Sequence, residues 1–171
     1  IRTMYEDGEK NIWIGTVGGG LNILTLDDKI THYNSDELDN TIWTIYGDRN
    51  GYIWLGTNKG LAQYNIATKK YKYFFHKNND DHSLNQNTVR SVFQDSKGFL
   101  WIGTEGGLNQ FDFTTENFSY YNKENSELTD NTVWKIVEDW EGNLWLATND
   151  GLNKFNPEKN GDLYYFTIQN P

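Results

Sequence analysis

Few side chains in this sequence carry the usual chemistry of catalysis. There are three histidines, His32, His76 and His82, and no cysteine. The histidines share no metal-ligand spacing. Without thiols, disulfides and thiolate metal sites are excluded. No G-x-S-x-G elbow presents a nucleophile. The glycines of "TVGGGLN" (Thr16–Asn22) lie between two strand-like runs, so no helix N-terminus stands behind them to hold a phosphate. "NNDDHSLNQN" (Asn78–Asn87) offers oxygens to calcium but lacks EF-hand spacing, and reads as a polar loop. What remains is binding chemistry. Arg2, Trp43, Arg90 and Trp134 recur in one column of an internal repeat. Indoles stack on the apolar faces of sugar rings, and guanidinium groups donate forked hydrogen bonds to hydroxyls or carboxylates.

The repeat must position those four residues. Trp13, Trp54, Trp101 and Trp145 stand 41, 47 and 44 residues apart. Six residues before each is an aspartate: Asp7, Asp48, Asp95, Asp139. Three after each is a threonine, followed by a Gly-Leu pair. Six residues before each aspartate is Ile1, Ile42, Val89 or Val133. Within a unit, "TIWTIYGD", "YIWLGT", "GLAQYN" and "KYKYFF" read as four short strands, rich in β-branched and aromatic residues. Asp-x-x-Gly marks a tight first turn in three units, with Asp accepting turn N–H groups and Gly in the left-handed position. The first unit has Lys10 in place of that glycine and an extra residue in its second turn, which predicts local irregularity there. After Trp-Ile or Trp-Leu comes Gly15, Gly56, Gly103 or Ala147. Alanine resists positive φ, so the requirement is small volume, under a bulky group such as a neighbouring unit's aromatic ring. The column tryptophans are expected in the core.

Four-stranded units of this length are the mark of propeller blades. The expected fold is all-β: a β-propeller of four consecutive four-stranded antiparallel blades, 1–41, 42–88, 89–132 and 133–171, forming part of a larger ring. The pattern V-x-x-I-x-x-D-x-x-G-x-L-W-I-G-T-x-x-G-L resembles the two-component regulator propeller repeat across all four units. The resemblance implies a periplasmic or extracellular propeller ahead of a membrane helix and a signalling output such as a histidine kinase or diguanylate cyclase. It implies oligosaccharide sensing, and it implies that this segment itself is not an enzyme. The sequence starts at Ile1 in mid-pattern, which reads as a segment of a longer chain.

Alternating strand direction places the second-to-third loops and the starts of the first strands on one side of the disc. Arg2, Trp43, Arg90 and Trp134 would ring the channel mouth there, joined by Asn58, Lys59, Glu105 and Asp150, with Val17 and Asn149 in the same loops. The bland alternative is that these residues pack between blades. Trp140 falls in a turn on the opposite side and is expected to be exposed. A net charge of −9 without a basic run argues against nucleic acid; Lys69, Lys70 and Lys72 read as a solvated outer strand. No run approaches the ~18 apolar residues of a membrane span. No cofactor is expected. Expected partners are a glycan, and further blades or a second copy to complete the ring. The leading function is ligand sensing; the alternatives are a structural or protein-binding propeller and, less favoured, a lyase or glycosidase. An enzyme would need convergent acid and base groups, and Glu105 and Asp150 alone fall on the mouth side.

Overall fold

The computed structural model describes residues 1–33, 37–158 and, for backbone only, 162–166. The expected blade spans 1–41 and 133–171 therefore include stretches, 34–36, 159–161 and 167–171, that lie outside the described residues. Sixteen strands form four antiparallel sheets in simple meander order. The first holds β1 (Thr3–Glu6), β2 (Ile12–Gly15), β3 (Leu21–Leu24) and β4 (Ile30–Tyr33). The second holds β5 (Ile42–Gly47), β6 (Tyr52–Thr57), β7 (Leu61–Asn65) and β8 (Lys70–Phe74). The third holds β9 (Val89–Gln94), β10 (Leu100–Thr104), β11 (Leu108–Phe111) and β12 (Phe118–Tyr121). The fourth holds β13 (Val133–Glu138), β14 (Leu144–Thr148), β15 (Gly151–Asn156) and β16 (Asp162–Phe166). The all-β blade architecture stands as the repeat predicted.

Strands in the middle of the stack are buried on both faces. All five residues of β10 are buried, because its sheet is covered by a blade on either side. Packing passes from β1 to β5, from β5 to β9 and from β9 to β13, so the first strands form the inner edge of an arc. Among the described residues no comparable packing joins the fourth blade to the first.

The three cores lie between blades. Trp13 and Leu21 of the first blade meet Ile42, Ile53 and Leu55 of the second. Trp54 meets Phe111 edge-on at 5.3 Å between ring centres, and Trp101 meets Phe155 at the same distance. Trp13, Trp54 and Trp101 are buried, as expected of the column; Trp145 is only half-buried, because no described blade covers it.

Two expectations are corrected. Lys10 does not disturb its turn: it takes φ of +68°, alongside +85°, +95° and +81° at Gly51, Gly98 and Gly142, and its N–H bonds the Asp7 carbonyl at 3.0 Å just as Gly98 bonds Asp95. The irregularity falls in the other turn, where the extra residue lets Gly18 and Gly20 donate to the carbonyl of Asn40 in the link to the next blade. The small column is pressed by β-branched residues rather than by rings. A Cβ on Gly15 would lie 2.8 Å from Ile42 Cγ2, on Gly56 2.7 Å from Val89 Cγ1, and on Gly103 2.9 Å from Val133 Cγ1. Each glycine thus admits the first-strand residue of the following blade.

Candidate functional site: the channel mouth

The column Arg2, Trp43, Arg90, Trp134 owes its aim to the backbone. In the second, third and fourth blades the register slips between Ile42 and Thr44, at Val89 to Ser91 opposite Thr104 and Gly103, and between Val133 and Lys135. Trp43, Arg90 and Trp134 are the extra residues of these bulges. A bulge leaves one residue unpaired and re-aims its side chain. Here all three turn along the mouth toward one another.

They interleave. The Arg90 guanidinium carbon lies 3.9 Å from the centre of the Trp43 ring and 4.8 Å from that of Trp134. The Arg2 guanidinium carbon also lies over the Trp43 ring, 5.4 Å from its centre. The order around the mouth is cation, indole, cation, indole. A guanidinium held between two indoles is attracted by the ring quadrupoles, by about 0.5–2 kcal/mol per contact according to exposure.

Each bulged residue is tied to the residue fifteen positions later, in the second-to-third turn. Trp43 Nε1 donates to Asn58 Oδ1 at 2.7 Å, and Trp134 Nε1 donates to Asn149 Oδ1 at 2.8 Å. Arg90 Nη2 donates to Glu105 Oε1 in a part-buried ion pair. Asn149 passes the chain on, its amide donating to Asp130 Oδ1 at 3.1 Å. The Nε and Nη1 donors of Arg90 are buried and have no hydrogen-bond partner, so the indole faces and Glu105 carry that charge.

The structure therefore brings together Arg2, Trp43, Asn58, Arg90, Glu105 and Trp134. Lys59 and Asp150 stand one residue further along their turns, exposed, and form no described bond to this set. Asn149, not its neighbour Asp150, holds Trp134. The signal was in the repeat: tryptophan in the column is matched by asparagine fifteen residues on, and arginine by glutamate. Arg2 breaks the pattern, since Val17 occupies its partner position. Stacking also uses surface that a ligand was expected to use. Two guanidinium groups lie over the Trp43 ring, whereas among the described residues only Arg90 lies over that of Trp134, a residue 39% exposed. In the polar loop at Asn78–Asn87, Asp80 accepts the His82 N–H at 3.1 Å and faces Lys77 at 3.6 Å, while Asn85 Oδ1 accepts from Thr104 Oγ1 and Asn109 Nδ2, each at 2.8 Å.

The profile of the two-component regulator propeller matches residues 1–18, 36–59 and 83–106, three copies of the turn and strand that carry the column. Three of the four blades thus match the two-component regulator propeller repeat. Two extracellular domains assigned to hybrid two-component systems of B. thetaiotaomicron superpose with TM-scores of 0.84 and 0.80, at 23% and 24% identity. They match over 96% and 98% of this chain but only 24% and 22% of their own length, so the chain spans about a quarter of them. Virginiamycin B lyase from Staphylococcus aureus shares the fold at a TM-score of 0.74 and 15% identity, over 99% of this chain and 56% of the lyase. No curated protein matches in sequence. These likenesses establish the propeller fold.

Proposed function

We propose that these blades are the ligand-sensing segment of an extracellular signalling receptor, and that the ligand is an oligosaccharide seated on the mouth. One observation carries the reading: three successive bulges turn the same column out of the sheets and into one continuous Arg–Trp surface. A core column would need no bulge. The regulator propeller repeat and the extracellular origin of the superposed domains support the receptor context. The free face of Trp134 suits the apolar face of a sugar ring, and the exposed Arg2, lacking a turn partner, suits its hydroxyls. Glu105 is neutralised by Arg90, and the net charge of −9 opposes polyanions at long range. Neutral and amino sugars are favoured over sulfated ones.

Calorimetry against neutral, amino and acidic oligosaccharides tests this. Trp134→Ala and Arg2→Ala should each weaken binding about tenfold or more, near 1.4 kcal/mol, with melting unchanged. A panel without a single binder would leave the proposal without support. The two guanidinium groups over Trp43 favour a second reading, a propeller whose mouth braces the blades and whose partner is another protein.

A further inference from the structure

A second polar surface lies on the mouth side of the disc. A cleft of about 350 Å³ opens between the loop that leads from the second blade into the third and the loop that leads from the third into the fourth. Small-molecule sites span ~300–1,000 Å³. One turn makes room for it. Gly106 lines the cleft where the second and fourth blades have Lys59 and Asp150. A Cβ on Gly106 would lie 3.1 Å from Asn85 Nδ2 and 2.7 Å from Gln86 Cβ. The residue before it, Glu105, is the partner of Arg90, so the cleft begins where the mouth stack ends.

Three asparagines line the cleft, and each is fixed through its oxygen. Asn85 Oδ1 accepts from Thr104 Oγ1 and Asn109 Nδ2, both at 2.8 Å. Asn122 Oδ1 accepts the N–H groups of Glu124 and Asn125 at 3.0 and 3.1 Å. Asn131 Oδ1 accepts the Lys123 N–H at 2.8 Å. In all three the Nδ2 donors have no hydrogen-bond partner among the described residues. Acceptors stand in the same lining. Asp81 is exposed and has no described partner, while Asp80 is held by Lys77 at 3.6 Å. Tyr120, half-buried, contributes a ring.

This set selects against charge. Amide N–H groups repel a cation. Two carboxylates oppose an anion, and Lys77 offsets only one of them. A neutral, hydroxyl-rich ligand suits both halves, because each hydroxyl can accept from an amide and donate to a carboxylate. The ring of Tyr120 suits the apolar face of such a ligand. We propose that the cleft is a second saccharide subsite, which takes one neutral sugar unit through the amides of Asn85, Asn122 and Asn131 and lies next outward from the mouth. The class of ligand rests on the saccharide reading of the mouth; the cleft and its donors do not.

Nuclear magnetic resonance separates the two sites. Glucose, galactose, mannose, xylose and arabinose, and β-linked disaccharides of each, are titrated into the labelled chain. The side-chain amide signals of Asn85, Asn122 and Asn131 report the cleft, and the indole N–H of Trp134 reports the mouth. At least one of these sugars should shift all three amides together in a saturable way. Asn122→Asp and Asn131→Asp keep the oxygen that accepts the backbone N–H groups and replace the free donor with an acceptor. The double variant should melt as the wild type does and bind that sugar about tenfold or more weakly, as expected when donors to hydroxyls are lost. Amides that stay in place through the whole panel overturn the proposal, whatever Trp134 does. So does a double variant that binds as the wild type does. Shifts at the amides without shifts at Trp134 support the cleft and count against the mouth.

Discussion

The turn aspartate does more than cap. In each blade Oδ1 accepts backbone N–H groups of the turn, as from Lys97 and Phe99 at 3.0 and 2.9 Å, while Oδ2 accepts the indole N–H of the column tryptophan, 2.7 to 2.9 Å away in the four units. That bond allows an indole to be buried without an orphaned donor. The six-residue spacing was legible in the sequence; the reach of the second carboxylate oxygen was not, because capping alone accounts for an aspartate there. Asp95→Ala removes three bonds to a buried charged acceptor. Hydrogen bonds to charged groups contribute about 1.5–3 kcal/mol each, less than additively in a shared site, so the variant should lose at least 3 kcal/mol in chemical denaturation. The same carboxylates set the acid limit. Burial raises the Asp7 pKa, but bonds from Trp13 and Asn11 outweigh it and hold it below the ordinary value; Asp139 is lowered in the same way by Trp145 and Asn143. The folded state therefore binds these protons less readily than the unfolded chain. Stability is complete above the unfolded carboxylate pKa near 3.8 and falls as pH drops below it. Melting temperature should be flat from pH 7 to about 5 and decline steeply below about 4. A melt that rises on acidification contradicts the assignment.

Lys10 and the glycine column show what an element tolerates. A left-handed residue with a Cβ costs about 1–2 kcal/mol, and the exposed Lys10–Glu6 pair at 2.7 Å offsets little of it. Lys10→Gly should raise stability by about 1 kcal/mol. At the blade junctions the constraint is steric and absolute. Gly103→Ala would set a methyl within 2.6 Å of the Val133 carbonyl and 2.9 Å of its Cγ1, with Ser91 behind it. Neither the backbone nor a β-branched side chain at the start of a strand yields easily. Overpacking of this kind costs about 1–3 kcal/mol, and the loss should appear as separation of the third and fourth blades. A melt unaltered by Gly103→Ala would mean the junction is loose. The sequence revealed that this position must be small, since alanine replaces glycine there once, at Ala147, but not what fills the space. The filler stands about thirty residues downstream, and only the stacking of blades brings it near. The bulges escaped for a related reason: an extra residue in a six-residue strand leaves the alternation of side chains nearly unchanged to the eye, while it rotates the one side chain that matters at the mouth.

At the scale of the molecule the arc has unequal blades. The second and third are covered on both faces, and their tryptophans, Trp54 and Trp101, are fully buried. The first and fourth have one described neighbour each, and their outward faces show Met4 and Trp145 partly or largely exposed. Stability in a linear array is approximately the sum of each unit and its nearest-neighbour interfaces, so among these four blades the first and fourth draw on one described interface and the second and third on two. Local opening should follow that order. Amides of β6 and β10 should exchange slowest, near the rate of global unfolding, and those of β2 and β14 sooner. The Arg–Trp stack couples the blades along the mouth only as far as its own contacts reach. Arg90→Ala, which removes the central cation and leaves Glu105 unpaired, should speed exchange in β13 and β14 more than in β1 and β2.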